Sequence, residues 1–245
     1  MTEGRDDADP RHGHRARHGA YVNIICMGPR RSDSRVGVGL AAMLSVFVVN
    51  VLAQTGPSDR SFESIFERGR QLNSELKTLT ARFTETTTSE LLTRPLVATG
   101  IVAVERPSRV VLHYEEPEPR DVLIDGDRLT ISWPARHIRE VTNIATANRR
   151  IQKYFVDARS ERLRDNFTIT TRKDNERPHA YLVTMVPKQK QIREGLTTLD
   201  LWIDESSLML SAMKMTFPNG DTKLMVLDNV VANAPIDQSV FTIAK

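Results

Sequence analysis

Apolar and polar residues alternate with a period of two through most of the chain after residue 81, and this feature constrains the fold more than any other. The alternation predicts strands over residues 82–91, 96–104, 109–114, 121–124, 129–133, 136–141, 167–171, 180–187, 197–204, 210–217, 222–227 and 239–243. The pairs Asp125-Gly126 and Asn219-Gly220 and the segment 204–207 predict tight hairpin turns between neighbouring strands. The sequence therefore predicts a large antiparallel sheet of about a dozen strands.

Both faces of this predicted sheet are apolar. A sheet with one solvated face alternates cleanly, but the runs LVATGIVAV (96–104), DVLI (121–124) and YLVTMV (181–186) place apolar residues on both sides. One face packs on helices, and the other needs separate cover. Either the sheet curls around a filled core, or it encloses a cavity for an apolar ligand.

Amphipathic helices accompany the predicted sheet. Apolar residues from Phe62 onward recur at helical spacing, which predicts one long helix that ends near Thr80, with Asp59 or Ser61 as its N-cap. The predicted fold class is mainly β with some α. Residues 54–245 contain no internal repeat or low-complexity tract, so we expect a single domain there.

A second amphipathic helix is predicted over residues 144–158. Its apolar stripe includes Ile151 and Phe155, and basic residues take much of the remaining surface. Two interpretations fit this pattern equally well. The helix is a lid whose apolar stripe contacts a ligand and whose basic face points outward or to anionic lipid headgroups, or it is a surface helix that covers the sheet.

The first 53 residues predict a targeting segment rather than part of the folded domain. Residues 1–26 form a polar extension with little to bury. Residues 27–53 contain a basic start, an apolar run over 36–49 and a small-residue site ending at Ala53, as in a secretory signal peptide cleaved after Ala53. The alternative is a membrane anchor over residues 36–53. Because a signal begins shortly before its basic cluster, Met27 is a candidate true start.

Export through this signal would place the mature protein in the periplasm. Gln54, not cysteine, follows the expected cleavage site, so we expect no lipid anchor. The single cysteine, Cys26, precedes the signal, which leaves no thiol in the mature chain. Residues 54–245 contain 27 Lys and Arg against 26 Asp and Glu, a net charge of +1 that gives no argument for nucleic-acid binding.

Catalytic and metal-binding patterns are weak in this sequence. His113, His137 and His179 lie far apart with no metal-ligand spacing, and no nucleophile elbow, P-loop or dinucleotide fingerprint occurs. Asp200 and Asp204 share a strand face, but carboxylates beside a turn are more often solvated than catalytic. We expect a protein that is not an enzyme and has neither cofactor nor metal.

Methionines are concentrated in the second half of the chain. Met213 and Met215 share a strand face, and Met225 follows a hairpin turn that can bring it opposite them. Methionine suits a surface that accepts apolar chains of variable shape, although ordinary core filling is the alternative for each one. The candidate apolar lining comprises Ile101, Val111, Leu123, Met185, Leu201, Met213, Met215 and Met225, with Ile151 and Phe155 from the predicted lid.

A resemblance to a known family emerges from the order of several short motifs. The segments LKTLTARFTET (76–86), GIVAVERPSR (100–109) running to YEEP (114–117), and DVLIDGDRLTISWP (121–134) are followed by the hairpins of residues 199–243. Over residues 62–243 the chain resembles the outer-membrane lipoprotein carrier protein family (LolA-like). The resemblance implies an unclosed antiparallel β-barrel, a curved sheet lidded by helices, whose apolar interior shelters acyl chains.

The resemblance also implies a function and partners. A periplasmic, monomeric carrier would receive acylated lipoproteins from an inner-membrane ABC transporter and deliver them to an outer-membrane receptor or to the outer membrane itself. Two alternatives stay open at this point. The same fold serves periplasmic regulators that sense lipids and bind an anti-sigma factor, and the cargo of a carrier can be another lipid, such as a glycolipid.

Arg106 is the residue to which the resemblance assigns a specific role. In the family the arginine of an Arg-Pro pair hydrogen-bonds to the lid and holds the empty cavity shut, and Arg106-Pro107 matches that pair. The alternative is a strand-end arginine in a routine ion pair with Glu105 or Glu85.

Overall fold

The computed structural model describes residues 61–151 and 160–243, and within them eleven antiparallel strands form one sheet. The strands are β1 (Thr78–Thr88), β2 (Leu96–Glu105), β3 (Arg109–Glu116), β4 (Arg120–Asp125), β5 (Arg128–Trp133), β6 (Ile138–Asn143), β7 (Phe167–Lys173), β8 (Ala180–Pro187), β9 (Thr198–Asp204), β10 (Leu210–Thr216) and β11 (Thr222–Ala232). Their order is β6-β5-β4-β3-β2-β1-β11-β10-β9-β8-β7. Strands β6 and β7 form the two edges and do not pair with each other, so the curved sheet is an unclosed barrel.

Four α-helices accompany the sheet in the described ranges. They are α1 (Phe62–Leu72), α2 (Ala145–Ile151), α3 (Ser160–Asn166) and α4 (Lys190–Arg193), and 3-10 turns occupy Pro134–Arg136 and Gln238–Phe241. The fold class predicted from the sequence, mainly β with an unclosed antiparallel sheet and helices against it, is confirmed. The sequence did not predict α3 and α4.

Helix α1 is shorter than predicted. Ser61 is its N-cap, as one of the two candidates, since its hydroxyl accepts a hydrogen bond from the backbone N–H of Ser64. The helix ends at Leu72 rather than near Thr80, because the backbone N–H and the side-chain amide of Asn73 both donate to the Gly69 carbonyl. The chain then enters β1 at Thr78, four residues before the predicted start of that strand.

The C-terminal segment also differs from its prediction. Residues 239–243 were expected to form a strand, but Gln238–Phe241 is a 3-10 turn. The Asp237 side chain accepts from the Ser239 N–H, and its carbonyl accepts from the Val240 N–H, which closes the turn. Residues 233–243, which we call the C-terminal strap, therefore cross the sheet instead of extending it.

The two faces of the sheet carry separate apolar clusters. The main core lies on the inner face, where side chains from all strands except β6 meet those of α1 and α3. A smaller outer cluster contains Ala103 and Val111 under Phe241 of the C-terminal strap, with Leu123 packed against it. The C-terminal strap thus covers the outer apolar face over β2 to β4.

Several predictions fall on residues outside the described ranges. These are the polar extension 1–26, the signal peptide 27–53 with its cleavage site, and Phe155 with the second half of the predicted helix over 144–158. The single domain over residues 54–245 stays a prediction as well.

Candidate functional site

The inner face brings together five of the candidate lining residues. Met213 lies directly opposite Met225 on β11 and Leu201 on β9, and the strand register places Met215 two residues further along the same face. Met185 on β8 joins the same core. These side chains are 1–3% exposed, so they fill a closed core and leave no open lining between them.

Three other candidates lie on the opposite side of the sheet. Val111 belongs to the outer cluster, Leu123 packs against that cluster, and Ile101 is 36% exposed. Their positions alternate with the inner residues of the same strands, since Val102, Leu112 and Val122 point into the main core. The prediction that they share one lining with the methionines is therefore not met by the geometry. Continuous apolar runs conceal which parity faces inward.

An apolar cavity of about 50 Å³ opens at one end of the inner face, next to the turn between β2 and β3. We call this end the mouth. The apolar side chains around the cavity are Leu76, Leu79, Val104, Leu208, Leu210 and Leu227. The candidate set contained none of these residues, although Met209 beside them was noted as one of the clustered methionines.

Arg106 is the charged residue whose role the sequence had singled out, and it lies at this mouth. It lines the cavity, and its backbone N–H donates to the Lys77 carbonyl. Its side-chain Nε is buried without a hydrogen-bond partner among the described residues, and burial lowers the pKa of the guanidinium. The ion pairs considered from the sequence are absent here, since Glu105 pairs with Arg109 and Glu85 pairs with Lys223.

Helix α2 caps the mouth on the side of β4 and β5. The buried Ile144 precedes it, and Ala147 and Ile151 pack against the main core. Polar contacts with the turn between β4 and β5 add to this packing. The Asn148 side-chain amide donates to the Gly126 carbonyl at 2.9 Å, in the turn beside Ser108. Ile151 thus packs against the main core, and its role as a lid residue stays a prediction.

Helix α1 covers the mouth from the other side. Phe62 and Ile65 are buried under it, and its last turn touches the β9–β10 connection. An added Cβ on Gly69 would lie 3.5 Å from the Leu208 Cβ, and the Asn73 amide is 3.4 Å from the Leu208 carbonyl. Helices α1 and α2 therefore both lie at the mouth, and the Glu63–Arg164 ion pair also ties α1 to α3.

A buried charge cluster lies on the same inner face, toward the opposite end. Its members are Glu85 of β1, Tyr114 of β3, Arg120 of β4 and Lys223 of β11. The Lys223 ammonium is 2.9 Å from one Glu85 oxygen, and the Tyr114 hydroxyl donates to the other at 2.9 Å. Arg120 stacks on the Tyr114 ring at 3.8 Å, with its Nη2 4.0 Å from Glu85. Burial raises the pKa of Tyr114, so its hydroxyl remains a donor.

Sequence reasoning missed this cluster, although a signal was present. Glu85 lies two residues from the inward Phe83, and Lys223 lies two residues from Met225, so each shares the face of an apolar neighbour. Glu85 is 3% and Lys223 is 2% exposed, values that charged side chains reach only when they are paired.

The described residues hold no group of three or more His, Cys, Asp or Glu side chains placed to bind a metal ion. His113, one of the histidines noted in the sequence, instead bonds Asp121 and the Val240 carbonyl. No helix in the described ranges combines the length and the apolar character needed to cross a membrane.

The family model described as "Outer membrane lipoprotein carrier protein LolA" matches residues 74–244. The chain belongs to the LolA family. A curated relative, the outer-membrane lipoprotein carrier protein of Pseudomonas entomophila, is 23% identical over 199 residues, which covers 81% of this chain and 92% of the relative. The match includes the sheet, the mouth, the buried charge cluster and the C-terminal strap.

Solved structures give a likeness of fold. A LolA superfamily protein from Nitrosomonas europaea is 11% identical, with 74% of this chain and 96% of that chain covered at a TM-score of 0.38. The complex of MucA and MucB from Pseudomonas aeruginosa is 11% identical, with coverages of 74% and 60% and a TM-score of 0.44. At these identities the similarity concerns the fold alone.

Proposed function

We propose that this LolA-family protein is a periplasmic carrier that shelters the acyl chains of lipoproteins between the inner face of its sheet and the helices at the mouth. The match of the family model over residues 74–244 carries the proposal. The geometry supports it, because the inner face carries four buried methionines and residues of α1 and α2 pack against the same core.

The energetics of acyl transport require such an arrangement. Transfer of one methylene out of water gains about 0.8 kcal/mol, so a 16-carbon chain represents on the order of 12 kcal/mol. A carrier must offset that exposure while its cargo crosses an aqueous compartment. It must also release the cargo, which is easier when a closed, empty state competes with the bound state.

In this scheme the described structure corresponds to the closed, empty state. Ligand pockets commonly enclose roughly 300–1,000 Å³, whereas the cavity at the mouth encloses about 50 Å³. An acyl chain therefore enters only after α1 or α2 moves and the side chains of the inner face rearrange. Methionine side chains, which are flexible and unbranched, suit that rearrangement.

The proposed partners follow from the carrier role. The protein would act as a monomer without enzymatic activity, receive lipoproteins released by an inner-membrane ABC transporter, and deliver them to a receptor in the outer membrane or to that membrane directly. Export through the predicted signal peptide would bring the chain to the periplasm, where both membranes are within reach.

Binding of a lipopeptide tests the proposal directly. We expect an environment-sensitive apolar dye to bind the purified domain and to be displaced by a triacylated lipopeptide, but not by the same peptide without acyl chains. Failure of both dye and lipopeptide to bind would show that the inner face is only a filled core. Mass spectrometry of ligands that co-purify from the periplasm identifies the cargo, and recovery of glycolipid alone would contradict the lipoprotein assignment.

A further inference from the structure

We propose that the buried charge cluster limits the length of the acyl chain that the inner face accepts. This proposal rests on the carrier function proposed above and adds a specificity determinant to it. The residues concerned are Glu85, Tyr114 and Lys223, with Arg120 at the edge of the cluster.

The cluster lies at the far end of the path from the mouth. Inward residues of β1 run from Leu79 at the cavity through Phe83 to Glu85. Inward residues of β11 run in the same direction from Leu227 through Met225 to Lys223. Each strand therefore changes from apolar to charged along its inward face. Lys223 pairs with Thr87, two residues beyond Glu85, and its side chain reaches back to the Glu85 carboxylate.

The length of this path is comparable to the length of a membrane acyl chain. Glu85 lies six positions after Leu79 on β1, and Lys223 lies four positions before Leu227 on β11, which corresponds to about 13 to 20 Å of strand at roughly 3.3 Å per residue. One leaflet of a bilayer contributes about 15 Å, half of a hydrocarbon core of about 30 Å. A chain of ordinary membrane length thus fits between the mouth and the cluster, and a longer chain reaches the charges.

Additional methylenes of an acyl chain cannot enter the space of the cluster without breaking its buried hydrogen bonds. Both oxygens of Glu85 are hydrogen-bonded, to Lys223 and to Tyr114, and the Lys223 side chain is 2% exposed. A methylene that displaced one partner would leave a buried charge without compensation, which is strongly unfavourable. The apolar gain that accompanies each methylene along the methionines therefore ends at this level.

A ladder of lipopeptides measures this limit in the wild-type protein. The probes share one peptide and carry a single amide-linked acyl chain of about 12 to about 24 carbons, below their critical micelle concentrations. We expect the affinity to rise roughly four-fold per methylene along the apolar path and to stop rising once the chain is about as long as one leaflet. An affinity that rises through the whole ladder would contradict the limit.

Replacement of the cluster by apolar side chains should lengthen the accepted chain. The triple variant Glu85→Leu/Tyr114→Phe/Lys223→Met removes the buried Glu85–Lys223 pair and the hydroxyl together, because replacement of one partner alone would leave a buried charge unpaired. Arg120 keeps its charge and is 30% exposed. We expect about tenfold or greater tightening for the longest chains, equivalent to two methylenes or more, and changes within about two-fold for the shortest.

A matched control is the pair Arg82 and Glu115, which is also an ion pair, at 2.6 Å, but is exposed. Arg82→Met/Glu115→Gln removes the same number of charges and should leave the whole ladder unchanged. If the triple variant shifts all chain lengths equally, or leaves the plateau in place, the cluster does not set the limit. If it does not fold, the wild-type ladder decides alone. Absence of binding at every length would contradict the carrier function itself, and the limit with it.

Discussion

Arg106 places a buried guanidinium nitrogen without a described partner beside an apolar cavity. A buried donor that lacks an acceptor costs about 1–3 kcal/mol, and more when the group is charged. Such a cost is tolerated where the residue has another function. The family resemblance assigns Arg106 to hydrogen bonds with carbonyl groups of a lid, and in a carrier each charge-assisted bond of that kind would contribute about 1.5–3 kcal/mol to closure.

Substitution of Arg106 tests whether this closure opposes cargo retention. We expect Arg106→Leu to fold, to hold lipoprotein more tightly than the wild type, and to fail in passing it on. Arg106→Lys keeps the charge but loses the planar fork, so its transfer should be intermediate. The measurement is transfer of bound lipoprotein to outer-membrane vesicles that contain the receptor. Transfer at the wild-type rate by a folded Arg106→Leu protein would show that Arg106 does not control closure.

At the scale of single residues, the sequence indicated where in the fold a residue lies better than which residues it contacts. The Arg106-Pro107 pair at a strand end pointed to a rim position, and Arg106 does line the mouth. Its surroundings depend on Leu208 and Leu210, which approach from a distant hairpin and which no local pattern identifies. The pairing of Glu85 with Lys223 spans 138 positions of the chain, so only the strand order could reveal it.

Among the elements, the C-terminal strap includes a contact with the sheet that titrates near neutral pH, at His113. His113 of β3 places Nδ1 2.7 Å from an Asp121 oxygen and Nε2 2.8 Å from the Val240 carbonyl oxygen. Both partners are acceptors only, so the protonated imidazolium satisfies both bonds. These bonds raise the pKa of His113, chiefly through Asp121, with the Val240 carbonyl adding to the effect and burial opposing it.

The stability of the protein should therefore depend on pH through His113. A pKa raised in the folded state gives a contribution that is complete below the ordinary pKa of about 6.5 and is lost as the pH rises through the folded pKa. We expect the free energy of unfolding in urea to fall above neutral pH in the wild type, and His113→Gln to remove this part of the dependence. The exposed His179 serves as the control, and the His179→Asn variant should keep the same pH dependence of the free energy of unfolding as the wild type. An unchanged profile in His113→Gln would contradict the assignment.

Element boundaries were predictable where the period-two pattern was unambiguous. Strand β8 matches its prediction over residues 180–187, and β2 differs from its prediction by one residue. The errors occur where tertiary contacts override local pattern. Helix α1 ends early because Asn73 caps it, and the expected last strand is a 3-10 turn because Asp237 closes it over the outer face.

At the scale of the whole molecule, the proposed carrier function requires a large change in cavity volume, and the open edges of the sheet are compatible with it. Strands β6 and β7 do not meet, so hydrogen bonds between the two edges do not fix the width of the inner face. The helices at the mouth are held by apolar contacts and by polar contacts that include the bonds from Asn148 and Asn73 and the Glu63–Arg164 ion pair. Opening therefore needs displacement of a helix and no break in the ladder of the sheet.

A reversible cross-link between α1 and the β9–β10 connection tests this opening. An added Cβ at Gly69 would lie 3.5 Å from the Leu208 Cβ, within the roughly 3.5–4.5 Å that disulfides span. Gly69→Cys/Leu208→Cys, made in the chain from residue 54, which has no other cysteine, should form this bond and hold α1 against the mouth.

The oxidised and reduced forms of this variant differ in one covalent bond, so the reduced form controls for both substitutions. If an open state is the one that binds, then removing it lowers the apparent affinity in proportion to its lost population. We expect the oxidised protein to bind lipopeptide at least about tenfold more weakly than the reduced protein. It should also resist urea better, since the cross-link constrains the unfolded chain. Equal lipopeptide binding by the two forms would show that α1 stays in place during loading, and the movement would then have to be assigned to α2.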